Sequence, residues 1–412
     1  MTNTYPTYKS SGVAWLGDIP AHWEVKKLKY ILSVRSGDNL PSNQIKVDGD
    51  YPIYGGNGVM GYTDVFNYQE DKIIIGRVGA KCGNVRLVSG KKWVSDNALI
   101  VDAKEDNKFV TVLLQVLDLN RLSSQTAQPL ITGSLLKEQS IALPPLAEQT
   151  AIATYLDSQT ARLDTLTEQK RQLIRLLQDE RAGIINEAVT RGLDARAPLR
   201  DSGLPWLGQI PAHWEVKKLK YLANEIIDTA HKTVPFKENG DYYVVRTSDV
   251  RKGKLLIENM RRTDRDGYLE WTERATPEED DIFFTREAPA GEACVVPGGV
   301  PVCLGQRMVL FRMNKSKVLS QFIVYQIYSV VVDEYVCQLS QGSTVSHFNM
   351  ADIKNIPFVL PDISEQAAIV TYLEMETARI DATIQTVEQE IGLLVEYRSA
   401  LISEVVTGKL RV

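Results

Sequence analysis

A chain of 412 residues is too long for one ordinary hydrophobic core and predicts two to four compact domains. With 44% hydrophobic and 24% charged residues, it has the composition of a globular protein, which excludes extended disorder. The formal net charge of −5 excludes an overall basic protein, although nucleic-acid binders favour an excess of positive charge.

Charge is distributed unevenly along the chain. Acidic residues outnumber basic ones in the last segment, from Glu365 to the end. The region between Trp23 and Pro145 instead carries basic clusters, such as Arg77 to Lys81 and Lys91-Lys92. The asymmetry therefore says more about partners than the total charge does.

The N-terminal residues lack a basic stretch followed by an apolar one, and no run of about 18 apolar residues occurs. We therefore expect a cytoplasmic protein with no membrane association. The cysteines form no CxxC pair and have no histidine at ligand spacing, so we expect reduced thiols packed as small apolar groups and no metal. They are Cys82, Cys294, Cys303 and Cys337.

The first element is a connector over residues 11–30 that is repeated almost unchanged at residues 202–221. The two copies differ only at their third, fourth and eighth positions. Each copy contains an Ile-Pro-Ala-His-Trp sequence, with Trp23 in the first and Trp214 in the second. The chain therefore contains an internal sequence repeat, and its fold has to be assigned from the two copies.

Short aromatic and β-branched runs punctuated by glycine follow each connector and predict strands. They are 51–54, 72–75 and 93–94 in the first copy and 241–245, 281–284 and 308–311 in the second. A GxGxxG pattern at 56–61 precedes a turn-and-strand pattern, whereas a dinucleotide site needs a helix there. No catalytic or cofactor motif is present otherwise, so we expect no enzyme activity and no cofactor.

A long helix is predicted from about Ala147 to Arg191, because apolar residues recur at heptad spacing. The second copy repeats this stripe towards the end of the chain. One alternative is an ordinary amphipathic helix on a globular core; we favour a two-helix coiled coil, because five to six heptads exceed a typical globular helix. Lys170, which stands where Val387 stands in the second copy, is a polar break in that seam.

The order of these parts predicts the topology. The chain leaves the first helix, builds the second globular region and then enters the second helix, so the helices should run antiparallel about a pseudo-twofold axis, with the chain ends close together. Asp362, followed by Glu365, resembles a capping box at the start of the second helix. The expected segments are a connector and first domain (1–145), a helix (146–191), a connector and second domain (192–361), and a helix (362–412).

This α+β layout, with two mixed α/β domains and two long helices, resembles the specificity subunits of Type I restriction-modification systems. The resemblance covers essentially the whole chain. It is carried by the repeat and by phrases such as Tyr54-Gly55-Gly56-Asn57-Gly58 and, in the second domain, Leu304-Gly305-Gln306-Arg307-Met308. It implies two target-recognition domains that bind a bipartite double-stranded DNA site, together with two methyltransferase subunits and restriction subunits.

Two alternatives stay open at this point. One is a specificity subunit whose partner carries methyltransferase and nuclease in one chain. The other is a coiled-coil scaffold that binds proteins at both ends and never contacts DNA.

If the two half-sites differ, segments identical between the copies cannot distinguish them, so Trp15, Trp23, Trp206, Trp214, His22 and His213 are interpreted as packing residues. Base contacts are expected in the divergent loops, where arginine suits guanine and asparagine or glutamine suits adenine. Arg286 is expected in a loop unique to the second domain. The candidate DNA-binding residues are Asn57, Arg77, Lys81, Asn84, Arg86, Asn97, Arg246, Ser248, Arg251, Lys252, Arg286, Gln306, Arg307, Thr344 and His347. The candidate partner-binding residues on the helical stripes are Leu156, Leu163, Leu177, Ile184, Leu373, Ile380, Leu394 and Leu401.

Overall fold

The computed structural model describes residues 4–79, 82–122, 129–229, 232–287, 289–339 and 347–412. The chain folds as two compact units, unit 1 with Met1–Arg171 and Glu388–Val412, and unit 2 with Gln172–Val387. Each long helix is divided between the two units. The units therefore divide the chain differently from the four predicted segments, because each half-helix packs on the core of the unit in which it lies.

Unit 1 is built on a four-stranded and a three-stranded sheet. Its strands are β1 Tyr8–Ser10, β2 Asp18–Pro20, β3 Glu24–Lys27, β4 Leu32–Ser36, β5 Tyr51–Gly55, β6 Gly58–Thr63, β7 Lys72–Gly76, β8 Val85–Val88, β9 Trp93–Val94, β10 Ala98–Ala103 and β11 Ser140–Leu143. The four-stranded sheet has the order β4-β10-β7-β8, and the three-stranded sheet has the order β6-β5-β9. Its short helices are α1 Asn107–Val116 and α2 Gly133–Lys137, and the long helix α3 begins in this unit and spans Leu146–Arg191.

Strand β7 shows why this sheet is central to unit 1. Its three consecutive isoleucines are all buried. Ile73 and Ile75 face the cluster that contains α1, and Ile74 faces the cluster with Val94. A continuous apolar run is typical of a strand that is covered on both faces.

Unit 2 repeats this plan with a four-stranded and a three-stranded sheet. Its strands are β12 Leu199–Asp201, β13 Gln209–Pro211, β14 Glu215–Lys218, β15 Ala223–Asp228, β16 Tyr242–Val245, β17 Val250–Arg251, β18 Lys254–Leu255, β19 Arg261–Thr263, β20 Ile282–Thr285, β21 Ala293–Val295, β22 Val302–Leu304, β23 Met308–Met313 and β24 Pro357–Leu360. The four-stranded sheet has the order β15-β23-β20-β21, and the three-stranded sheet has the order β19-β16-β22. Its helices are α4 Arg265–Trp271, α5 Ser320–Ile327, α6 Val330–Leu339, α7 Met350–Lys354 and the long α8, which spans Ile363–Val406 and ends in unit 1.

The two long helices run antiparallel where they meet inside each unit. In unit 1, Arg398 Nε lies 3.1 Å from Asp164 Oδ1, and Lys170 Nζ lies 2.5 Å from Glu390 Oε2. The polar break that the sequence places at Lys170 is therefore matched by a glutamate on the opposite helix. In unit 2, Arg181 Nε lies 3.0 Å from Asp381 Oδ1. Residue numbers rise along one helix as they fall along the other, as antiparallel packing requires.

The connector tryptophans Trp23 and Trp214 are buried in the cores of their units, as predicted. The histidines beside them bond to the first turn of a long helix: His22 Nε2 lies 2.8 Å from Glu148 Oε2, and His213 Nε2 lies 2.8 Å from Glu365 Oε2. We call these two groups the connector junctions.

The predicted capping box at the start of α8 forms only in part. The Asp362 carboxylate accepts hydrogen bonds from the backbone N–H groups of Ser364 and Glu365, both at 2.9 Å. The Glu365 side chain does not complete the box, because its carboxylate accepts from His213 and Trp214 instead.

The cysteines follow the expectation except for one. Cys82, Cys294 and Cys303 are buried, and burial raises the pKa of the Cys294 and Cys303 thiols to about 12. Such thiols are poor nucleophiles near neutral pH. Cys337 on α6 is exposed, so the prediction that it is packed in a core is wrong. Within the described ranges, no helix is long and apolar enough to cross a membrane.

Candidate nucleic-acid interface

In unit 1 the candidate residues lie at one edge of the sheets. Strands β5 and β9 run parallel, and Ser95 N donates to Tyr54 O at 2.9 Å, so their carboxyl ends meet. Strand β7, which pairs with β10 in antiparallel orientation, ends at the same edge. There Arg77 N donates to Asn97 O at 3.0 Å. We call the loops that follow β5, β7 and β9 edge 1.

Contacts between these loops hold edge 1 together. Gly56 opens the β5–β6 turn, and a Cβ there would lie 2.7 Å from Val78 O, so a side chain does not fit without movement. Beside it, Arg86 Nη2 donates to Asn57 O at 3.4 Å. Gly76 N donates to Asn84 O at 2.9 Å. The structure thus brings together the candidates Asn57, Arg77, Asn84, Arg86 and Asn97, whereas Lys81 lies outside the described residues.

Unit 2 has a corresponding edge 2, formed by the loops after β16, β20 and β22. The parallel strands β16 and β22 end together, where Gly305 N donates to Val245 O at 2.8 Å. Arg246 begins the loop after β16 and makes a bidentate pair with the buried Asp249, through Nε at 3.0 Å and Nη2 at 2.8 Å. Ser248 Oγ donates to the same carboxylate at 2.9 Å.

The β17–β18 hairpin adds two further candidates to edge 2. Arg251 Nη1 donates to the backbone oxygens of Thr247 and Val250, both at 2.8 Å, so it braces its own hairpin. Lys252 is exposed at the tip, and its backbone N–H donates to Glu292 Oε2 at 2.8 Å.

Arg286 is buried, with 7% of its surface exposed. Its guanidinium donates to Asp228 Oδ2 at 2.6 Å and to Phe348 O at 3.1 Å, and Nη2 lies 3.2 Å from His347 Nε2. These partners leave little of the side chain accessible to a ligand.

The expectation that Arg286 occupies a loop unique to the second domain is wrong. Arg286 follows β20 as Arg77 follows β7, and its N–H donates to Arg307 O at 3.0 Å, as that of Arg77 donates to Asn97 O. Its carbonyl accepts from Phe348 N at 2.9 Å, as that of Arg77 accepts from Ile131 N. The divergent sequences around the two arginines hide this equivalence.

The remaining candidates of edge 2 lie beside Arg286. Arg307 is exposed, adopts a left-handed backbone with φ of 71°, and has Nε 3.4 Å from Glu287 Oε1. His347 Nδ1 lies 3.8 Å from the same oxygen. Gln306 is the half-buried residue that precedes Arg307. Thr344 lies outside the described residues.

Two residues that contact these arginines were missed by sequence reasoning. Ser36 contacts Arg77 through Oγ at 3.0 Å, and Asp228 contacts Arg286. The repeated connector could have located both, since they lie six and seven residues after Tyr30 and Tyr221. The extra residue of the second copy is absorbed by a register shift in β15, between Ala223 and Glu225.

The candidate partner-binding stripe contributes to the chain's own packing. Leu156, Leu373, Ile380 and Leu401 are buried. The other stripe residues, Leu163, Leu177, Ile184 and Leu394, are half-buried. Exposed apolar residues occupy other positions on the helices, among them Met375 in unit 2 and Leu393 in unit 1. Heptad spacing marks the most apolar face of a helix, whether that face packs within the chain or is left exposed. It therefore could not separate the packed stripe from the exposed apolar residues.

The chain is similar to known proteins over most of its length. The family model described as "Type I restriction modification DNA specificity domain" matches residues 20–176 and 211–392. The chain is 24% identical to a putative type I restriction enzyme MjaX specificity subunit of Methanocaldococcus jannaschii, over 96% of each chain. It is 23% identical to the type I restriction enzyme EcoBI specificity subunit of Escherichia coli, over 77% of this chain and 70% of that one.

Solved structures share the fold at lower identity. A chain from a structure of complex assembly in a type I R-M system matches with a TM-score of 0.71 and 14% identity, over 95% of this chain and 99% of that one. The HsdS subunit of Thermoanaerobacter tengcongensis matches with a TM-score of 0.53 and 14% identity, over 95% and 98%.

Proposed function

The chain belongs to the family of type I restriction modification DNA specificity domains, and on this premise we propose that it is the DNA-recognition subunit of a type I restriction-modification complex. Each unit would bind one half of a bipartite site in double-stranded DNA, unit 1 through edge 1 and unit 2 through edge 2. One observation carries the proposal. The family model matches the chain twice, and in each matched region the loops that hold the polar candidate residues lie at one edge of the sheets.

We propose that the chain is not itself an enzyme and that it acts in the cytoplasm. Its catalytic partners would be two methyltransferase subunits and, for cleavage, restriction subunits. The names of its relatives support this, since those proteins are called type I restriction enzyme specificity subunits.

The long helices would act as an antiparallel coiled-coil spacer between two target-recognition domains, with the connectors arranged about a pseudo-twofold axis. The ion pairs within each unit support antiparallel pairing, because Asp164 meets Arg398 and Arg181 meets Asp381. In this proposal the four segments with bounds at 145, 191 and 361 are the functional divisions of the chain.

The partner subunits would bind the helices on the faces that the chain leaves exposed. The buried stripe is already packed, so exposed side chains such as Met375 and Leu393 are better placed to bury apolar area against a partner. The stripe residues would then support docking indirectly, by fixing how the helices pack.

Equilibrium binding of the full-length chain to duplex DNA over a range of salt concentrations tests the proposal. Each phosphate that a protein cation neutralises contributes about −0.9 to the slope of log K against log salt. We expect a clearly negative slope that reflects several such contacts. A slope near zero would contradict DNA recognition and favour a protein-binding scaffold. A single-stranded oligonucleotide of the same length serves as the control for non-specific charge attraction.

A further inference from the structure

The side chains that face the two equivalent arginines come from equivalent strand positions. Ser36 pairs with Leu99, the second residue of β10, and Asp228 pairs with Val309, the second residue of β23. Both residues end their strands, β4 and β15. One backbone position therefore carries a hydroxyl in unit 1 and a carboxylate in unit 2.

This difference changes the electrostatics of the arginine beside it. In unit 2 the Asp228 carboxylate lies 2.6 Å from Arg286 Nη1 and compensates its charge. In unit 1 Arg77 Nη1 donates to two neutral acceptors, Ser36 Oγ at 3.0 Å and Asp96 O at 3.4 Å. Arg77 Nε is buried and has no hydrogen-bond partner among the described residues.

A partly buried cation without an opposite charge is costly, because the protein interior solvates it poorly. Arg86, a second cation that lies beside edge 1 on strand β8, donates to Asn57 O at the long distance of 3.4 Å. Within the part of the chain that the structure describes, neither arginine has a carboxylate within ion-pair distance. The surface formed by edge 1 and Arg86 therefore presents two guanidinium groups without a compensating carboxylate, beside the exposed residues Asn57 and Asn97.

We infer that Arg77 binds a phosphate oxygen of the DNA held by unit 1, whereas its counterpart Arg286 is a positioning residue that holds the loops of edge 2 and does not contact DNA. This inference rests on the proposed function. The residue that decides between the two roles is the strand-end residue, Ser36 or Asp228. A phosphate is the ligand that best fits edge 1, because it supplies the negative charge that Asp228 supplies in unit 2.

Transplanting the unit 2 carboxylate into unit 1 tests the inference. The Ser36→Asp variant should pair with Arg77 and remove it from DNA binding without altering the arginine itself. Arg77→Ala should have the same effect by deleting the side chain. For both variants of the full-length chain we expect roughly tenfold weaker binding to duplex DNA near physiological salt and a salt slope less steep by about 0.9, the contribution of one phosphate.

The control is Ser36→Ala, which removes the hydroxyl without adding charge. Its salt slope should stay at the wild-type value, because the Arg77 guanidinium keeps its charge and still has no carboxylate beside it. Circular dichroism and gel filtration of every variant establish that the chain still folds. Unchanged affinity and slope in folded Arg77→Ala and Ser36→Asp would overturn the inference, as would a loss confined to sites with a particular base, which would make Arg77 a base contact.

The unit 2 counterparts complete the test. Arg286→Lys and Asp228→Asn keep side chains of similar size and should reduce the thermal stability of the chain, yet leave the salt slope at the wild-type value. A slope reduced by about 0.9 in either folded variant would show that Arg286 contacts phosphate and would overturn its positioning role. A flat slope for wild type would instead refute the proposed function, so the two failures are distinguishable.

Discussion

The pairing of each arginine decides what it can contribute at the two edges. Arg246 forms a bidentate pair with Asp249, whose side chain is 5% exposed, so it braces the loop after β16. Arg307 meets Glu287 only at 3.4 Å and remains exposed. Asn97 occupies the equivalent backbone position in unit 1. The Asn97 carbonyl accepts a hydrogen bond from the backbone N–H of Arg77, and the Arg307 carbonyl accepts one from the backbone N–H of Arg286. Asn97 and Arg307 are therefore exposed, equivalent in backbone position and chemically different, which the proposed recognition of two different half-sites requires.

Replacing these two side chains should relax the two half-sites separately. Asparagine suits adenine and arginine suits guanine, so Asn97→Ala should weaken discrimination at one position of the half-site of unit 1, and Arg307→Ala at one position of the other. Each loss should amount to about 1–3 kcal/mol, measured by competition between target duplexes with single base changes. A loss that is equal for all sequences would make these residues phosphate contacts.

The backbone of Arg307 allows function to be separated from stability. Its φ of 71° lies in the left-handed region, which is unfavourable for a residue with a Cβ by roughly 1–2 kcal/mol. Glycine removes that strain together with the guanidinium. Arg307→Gly should therefore weaken DNA binding as Arg307→Ala does, while its melting temperature is at least that of wild type. A large drop in melting temperature would show that the side chain serves the fold.

At the scale of elements, the connector junctions fix the start of each long helix. Glu148 accepts hydrogen bonds from His22 at 2.8 Å and from Tyr5, and Glu365 accepts from His213 and Trp214. Burial raises the pKa of the Glu148 carboxyl, but the bonds from Tyr5 and His22 outweigh it, so that the pKa lies below its ordinary value. A carboxylate with a lowered pKa stabilises the fold at pH values above its unfolded pKa, and that contribution is lost as the pH falls through the folded pKa.

Glu148→Gln should reduce the stability of unit 1 at pH 7 by about 1–3 kcal/mol, because it weakens two charge-assisted bonds. The difference from wild type should shrink as the pH falls into the range where Glu148 itself is protonated. Hydrogen exchange of backbone amides in each unit measures this, since a two-unit chain need not unfold in one step. Glu365→Gln is the matched control and should destabilise unit 2 instead. If either variant destabilised both units equally, the claim that each connector junction stabilises only its own unit would be contradicted.

The elements themselves were largely predictable, whereas side-chain partners were not. The isoleucine run at 73–75 and the heptads of the long helices mark β7, α3 and α8, because the spacing of apolar residues along the sequence follows the pattern of burial. The equivalence of Arg77 and Arg286 was missed, because the sequences around them diverge and a register shift in β15 changes the spacing from the connector. The pairing of Arg286 with Asp228 depends on strand register, which no local pattern specifies.

At the scale of the whole molecule, the end of the chain packs against the first connector within unit 1. Lys409 Nζ donates to Asp18 O. Gly408 lies so close to the connector that a Cβ there would contact Pro20 and Trp23. In unit 2 Gly192, at the end of α3, lies in the same way against Trp214. Each connector thus joins the end of one long helix to the start of the other, although Met1 itself lies outside the described residues.

If the helices are a spacer, lengthening both should move the half-sites apart. Seven residues inserted after Arg171 and again after Val387 add about 10 Å to each helix, at about 1.5 Å per residue. That corresponds to roughly three base pairs at about 3.4 Å each. The unspecified gap in the DNA target should widen by that amount while both half-sites keep their sequences. An insertion in one helix alone is the control and should disrupt packing.

The central claim is that one chain reads two separate DNA sequences. Mapping methylated bases in the genome of cells that carry this chain with the proposed methyltransferase partner tests it most directly. We predict a motif of two short, different sequences separated by a fixed gap of unspecified bases. A single continuous motif would contradict it.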